Sequence, residues 1–171
     1  DSNGIAHKDN YVGLYDDKRE VDLFLEEHNV AIEINGIYWH TERYRSEDYH
    51  LKKTTELQNG VRLIQFTDIQ WCNKKEICKS IILSACKKTS LICADECTVE
   101  TYTKTNDGLT AFFDINHING FEGGGLYIVM RYKDEIVMAV SIGKSRFNPN
   151  GENEILRLAT KLGFDVVNGL D

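Results

Sequence analysis

Apolar and polar positions alternate most clearly in "EVDLFL" (20–25), where Val21, Leu23 and Leu25 fall on one side and Asp22 and Phe24 on the other. After a turn at "EEHN" (26–29), "VAIEIN" (30–35) is apolar again, so the two segments predict a hairpin. "VRLIQF" (61–66) predicts a third strand, buried through Leu63, Ile64 and Phe66. "DYHLKKTTELQNG" (48–60) predicts a helix that starts near Ser46 or Asp48 and stops at Gly60. "NKKEICKSIILSACKK" (73–88) predicts another: Asn73 and Glu76 have capping-box spacing, and Ile77, Ile81, Ser84 and Ala85 form one stripe.

Beyond residue 96 the pattern changes. "CTVETY" (97–102) predicts a strand and "NDGLTAFFDIN" (106–116) a short helix capped by Asn106 or Asp107. "LYIVMRY" and "EIVMAVSIG" flank "KD" as a hairpin. "ENEILRLATKLG" (152–163) predicts an amphipathic helix, with Ile155, Leu158, Ala159 and Leu162 inward and Gly163 just past its end. "DVVNG" predicts a last strand, and the domain boundary is expected near residues 89–96.

With 171 residues, 42% of them hydrophobic, the chain has enough apolar surface for one ordinary domain or two small ones. No run reaches the roughly 18–20 apolar residues of a membrane span, and no signal peptide opens it. Asp1 is not a start methionine and the chain stops abruptly at "NGLD", so a fragment of a longer protein is expected. The five cysteines include no C-x-x-C pair; they read as reduced structural thiols of a cytosolic protein, with a zinc site at Cys93 and Cys97 as the alternative.

Net charge is -7, which argues against a nucleic-acid partner until its distribution is considered. Residues 43–88 hold ten Lys or Arg against five acids, whereas residues 93–171 hold seven against twelve. The basic stretch reads either as solvated helix faces or as a phosphate-facing surface, with Lys52, Lys53, Lys74 and Lys75 as candidate contacts. "GGG" (123–125) reads as a turn or a phosphate cradle, though it lacks the strand-to-helix context and lysine of a P-loop.

The candidate chemistry lies on the first hairpin. Asp22 and Glu33 sit on adjacent strands, close enough to converge at one edge. Two neighbouring carboxylates need a neutralising partner, and a hard divalent cation such as Mg²⁺ or Mn²⁺ is one. Asn35 shares the Glu33 face, and His40 follows Gly36, Tyr38 and Trp39 as a candidate general base.

The stretch "VDLFL…VAIEINGIYWH…YHLKKTTELQNGVRLIQF…W" resembles the very-short-patch repair endonucleases and, more closely, the phage-associated EDxHD homing endonucleases of the PD-(D/E)xK superfamily. The resemblance covers residues 19–88, and "NHINGF", "GKSRF" and "NEILRLATKLG" look like the extension that follows the nuclease in such proteins. It implies an α/β fold: a restriction-endonuclease-like mixed sheet flanked by helices over residues 1–90, then a smaller α+β lobe over 91–171. It implies a Mg²⁺-dependent homing endonuclease acting on double-stranded DNA in the cytoplasm of a bacterial or phage-infected cell. A mismatch-nicking repair enzyme and a non-catalytic DNA-binding module are the alternatives.

By the same resemblance, Asp22 falls on the metal-binding aspartate and Ile34 where the repair enzymes offer a backbone carbonyl to the metal. His40 falls on the histidine that activates water, and Glu33 on the superfamily's second acid. Asn35 stands where many relatives carry lysine, and Asp68, with Trp71 behind it, near the acid that closes the motif. Lys53 reads as a phosphate contact or a surface lysine, and His50 as a supporting or exposed residue. The family's first glutamate has no assigned counterpart in "DSNGIAHKDNYVGLYDD".

Overall fold

The computed structural model describes residues 4–16, 18–36, 53–55, 57, 60–145, 151 and 153–169. His40, His50 and Lys52, and most of the predicted 48–60 helix, lie outside them; residues 53–55 are helical. The protein is a mixed α/β chain that divides into two compact units, Asp1–Cys78 and Lys79–Asp171. Among the described residues no helix is long and apolar enough to cross a membrane.

The first unit is built on a four-stranded sheet of order β1 (Lys8–Val12), β2 (Glu20–Leu25), β3 (Val30–Asn35) and β4 (Arg62–Thr67). β1, β2 and β3 pair antiparallel, whereas β3 and β4 run parallel, from Val30↔Arg62 to Asn35↔Thr67. The turn between β2 and β3 is a short 3₁₀ segment (Glu26–His28), closed by Asn29 in the left-handed region at φ 54°. Asn29 also fixes the start of β4: its carbonyl accepts from Arg62 N at 3.0 Å, and its Nδ2 donates to the Gly60 carbonyl at 3.1 Å. Leu14, Tyr15, Val21, Phe24, Ala31 and Val61 form the core of this unit.

β4 leads directly into α1 (Asp68–Asn73), and α2 follows (Lys75–Ala85). A capping box forms at the start of α1: Gln70 N donates to Thr67 Oγ1 at 3.1 Å, and Thr67 N donates to Gln70 Oε1 at 2.9 Å. The predicted 73–88 helix is therefore preceded by a separate helical turn.

The second unit has an antiparallel sheet of order β6 (Thr98–Tyr102), β7 (Leu126–Tyr132), β8 (Glu135–Lys144) and β9 (Asn153–Thr160). Lys133 and Asp134, at φ 50° and 66°, close the β7–β8 hairpin as expected for "KD". Helix α3 (Asp107–Asn116) is capped by Asn106, whose side chain accepts from Leu109 N at 2.9 Å. Its Leu109, Phe112 and Phe113 pack with Tyr127, Val129, Ala139 and Ala159. A separate cluster joins Ile92 of β5 (Ser90–Cys93) to Met130, Val137, Met138 and Val140, with Phe164 and Val166 of β10 (Phe164–Val167) against it. The stretch expected to be a boundary thus holds β5, which pairs parallel with β10.

Phe113 is fully buried, so Phe113→Ala should cost about 3–5 kcal/mol in a denaturant titration. Ile115 on the same helix is 60% exposed, and Ile115→Ala should stay within about 0.5 kcal/mol of the parent.

The segment 153–160 is a strand, not the helix its composition suggested. The reason lies in its register. Ile142 pairs with Ile155, Ser141 with Arg157 and Val140 with Leu158, which leaves Leu156 as an extra residue in a bulge. Across the bulge, residues three apart share a face, so Ile155 and Leu158 imitate a helical stripe. They are not the inward positions predicted: Ile155 is 60% exposed and Leu158 37%. Pairing with the long β8 overrides local helix propensity.

The glycine run is a packed turn rather than a phosphate cradle. Gly124 N donates to Tyr127 OH at 2.8 Å and Gly125 N to the Ile142 carbonyl at 2.9 Å, so both amides are already engaged. A Cβ on Gly124 would stand 2.6 Å from that carbonyl, so only glycine permits this approach.

Candidate active site

Strand parity gathers the candidate residues. Phe24 pairs with Ala31, and Ala31 with Leu63. Glu33 pairs with Gln65 and Asn35 with Thr67, two and four positions further on. Asp22, Glu33, Asn35 and Gln65 therefore share one face with Phe24, Ala31 and Leu63. Along β3 that face changes from apolar at Ala31 to polar at Glu33 and Asn35, at the carboxyl ends of the parallel β3–β4 pair.

Asp22 is held across the sheet. Its Oδ2 accepts the Ile34 backbone N–H at 2.6 Å, so the side chain takes a place that a ladder carbonyl would otherwise occupy. Of Ile34, the structure thus engages the amide with Asp22.

Lys53 requires a correction. It is not a surface lysine poised for a DNA backbone: it is 3% exposed, and its Nζ donates to Glu33 Oε1 in a buried ion pair. Its backbone is anchored by Tyr15, whose hydroxyl donates to the Lys53 carbonyl at 2.9 Å. Burial pushes the Glu33 carboxyl up from the ordinary carboxylate range, Lys53 pulls it back through hydrogen bond and charge, and the Asp22 charge pushes it up again; the net direction is upward.

At this end of the face, Glu33 Oε2 and Asn35 Oδ1 are buried with no hydrogen-bond partner among the described residues. Their residues are 8% and 9% exposed. Asn35 Nδ2 donates to Gln65 Oε1 at 3.1 Å, and Gln65 Nε2 donates to Thr54 Oγ1 at 3.0 Å. Gln65, Thr54 and Tyr15 were not among the expected site residues. Gln65 carries the signal that marked Glu33, a polar residue between apolar ones in a buried strand.

Asp68 opens α1 just after Thr67, and its Oδ1 accepts from Ile69 N at 2.8 Å. Trp71 lies 6.2 Å from Phe66 between ring centroids, and Lys75 Nζ is 5.8 Å from the Trp71 ring. Lys75 is exposed and Lys74 half-buried.

Among the described residues, no group of three or more His, Cys, Asp or Glu side chains is placed to hold a metal ion. Around Asp22 the donors are two carboxylates and an amide oxygen, all hard oxygens. Two of these oxygens are buried and unsatisfied, and a hard divalent cation fits such a set. Comparison with family models, curated proteins and solved structures finds no match to this chain.

Proposed function

We propose that this chain is a divalent-metal-dependent DNA endonuclease of the PD-(D/E)xK type, in its EDxHD homing branch. The observation that carries the reading is the polar end of one sheet face, where Asp22, Glu33 and Asn35 are gathered with unsatisfied oxygens on the last two. Asp22, Glu33 and Asn35 would hold Mg²⁺ or Mn²⁺, which supplies charge to polarise a phosphodiester. His40, on the segment following β3, takes the proton of the attacking water. Lys53 restrains the upward shift of Glu33, keeping its carboxylate available as a ligand. Exposed Lys75, with Lys52 and Lys74, contacts the DNA backbone.

One observation favours a non-catalytic DNA-binding module: Glu33 already has a cation, the Lys53 ammonium. The experiment that separates the two is cleavage of supercoiled plasmid and source-genome DNA, with Mg²⁺ or with a chelator, by the longest natural form of the chain. Nicked or linear product with Mg²⁺ alone is the expected result. DNA binding with neither cleavage nor manganese binding supports the module.

A further inference from the structure

The unsatisfied oxygens specify more than an acidic pocket. Asn35 has two amide donors and one carbonyl acceptor. Its nitrogen donates to Gln65 Oε1 on β4, which leaves Oδ1, on the other arm of the amide, as the free acceptor among the described residues. Gln65 is in turn held by Thr54. Glu33 commits Oε1 to Lys53, and its Oε2 has no hydrogen-bond partner among the described residues. A buried acceptor left unsatisfied is destabilising, because it has given up water without gaining a partner. Two such acceptors two residues apart on one strand face call for a donor or a cation; an anion would be repelled.

We infer that Gln65 is a positioning residue, whose side chain sets the Asn35 amide so that Asn35 Oδ1 and Glu33 Oε2 form a paired acceptor for one divalent cation. This rests on the metal-dependent reading above and adds to it the residue that orients the ligand. Groups that orient metal ligands typically contribute about 10- to 100-fold in affinity.

The test is calorimetric titration of the whole chain with Mn²⁺ alone. Gln65→Leu removes the anchor and should weaken binding about 10-fold. Gln65→Glu offers only acceptors to Asn35 Nδ2, so it should bind at least as tightly as the parent. Asn35→Asp presents oxygen whichever way it turns, so adding Gln65→Leu to it should change little. This double variant also guards against a general loss of fold: if it binds well, the sheet is intact.

Equal binding by the parent and Gln65→Leu overturns the inference while leaving the metal site standing. Weakening by Gln65→Glu as large as by Gln65→Leu also overturns it, because the amide pair would then be flipped, with the Asn35 nitrogen facing Glu33. A parent that binds no Mn²⁺ overturns the metal-dependent reading and this inference with it.

Discussion

Asp22→Asn should lower single-turnover DNA cleavage by about 10³-fold or more without unfolding the protein. The fold is expected to survive because an asparagine oxygen can still accept the Ile34 N–H that Asp22 Oδ2 accepts now. What disappears is the charge. Hard divalent ions favour carboxylates, and an ion that stabilises charge at a scissile phosphate contributes several kcal/mol, each 1.36 kcal/mol being about tenfold in rate. Mn²⁺ titration of the same variant should show weakened binding. His40→Ala should differ in kind, losing about 10²- to 10⁴-fold in rate with metal binding unchanged. Cleavage by Asp22→Asn at the parent rate would remove Asp22 from the site.

Lys53→Met should destabilise the protein by an amount that grows with pH. Lys53 and Glu33 form a buried pair, and removing one partner of such a pair typically costs about 3–5 kcal/mol. The Glu33 carboxyl already lies above the ordinary carboxylate range, and both Lys53 contributions hold it down. Without them it rises further. Between its unfolded and folded pKa the native state then binds more protons than the unfolded chain, so stability falls as pH rises through that window. Below the ordinary carboxylate range Glu33 is protonated in both states, and the variant should approach the parent. Urea titrations of both proteins at about pH 4, 6 and 8 read this directly. A difference independent of pH would mean that Lys53 contributes packing alone.

Much of this arrangement was legible in the residues. The hairpin of 20–35, the strand near 61–66, the Asn106 cap and the "KD" turn all carry local chemistry that tertiary structure reinforces. Asp22, Glu33 and Asn35 stood out because polar residues inside apolar strands need a reason. The rest depended on partners distant in sequence. Lys53 is an ordinary helix lysine until Glu33 is seen beneath it. Gln65 matters through Asn35, which it meets diagonally across the parallel β3–β4 pair. β1 and β5 are short strands, and β1 is mostly polar and exposed, so neither had a pattern to read. The 153–160 strand was hidden by its own bulge.

The parallel pairing of β5 with β10 sets the order in which the second unit is completed during synthesis. Thr89 and Asp165, bonded side chain to side chain at this junction, are 76 residues apart, and Ser84 Oγ reaches the same carboxylate. The β7–β8 hairpin can pair as soon as it leaves the ribosome, but Ile92 and Met138 have no Phe164 or Val166 against them until β10 emerges. Contacts this distant form slowly, because the loop must close before they add stability. Until then an apolar sheet face stands open to other chains, and the second unit is at its most aggregation-prone just before β10 is made.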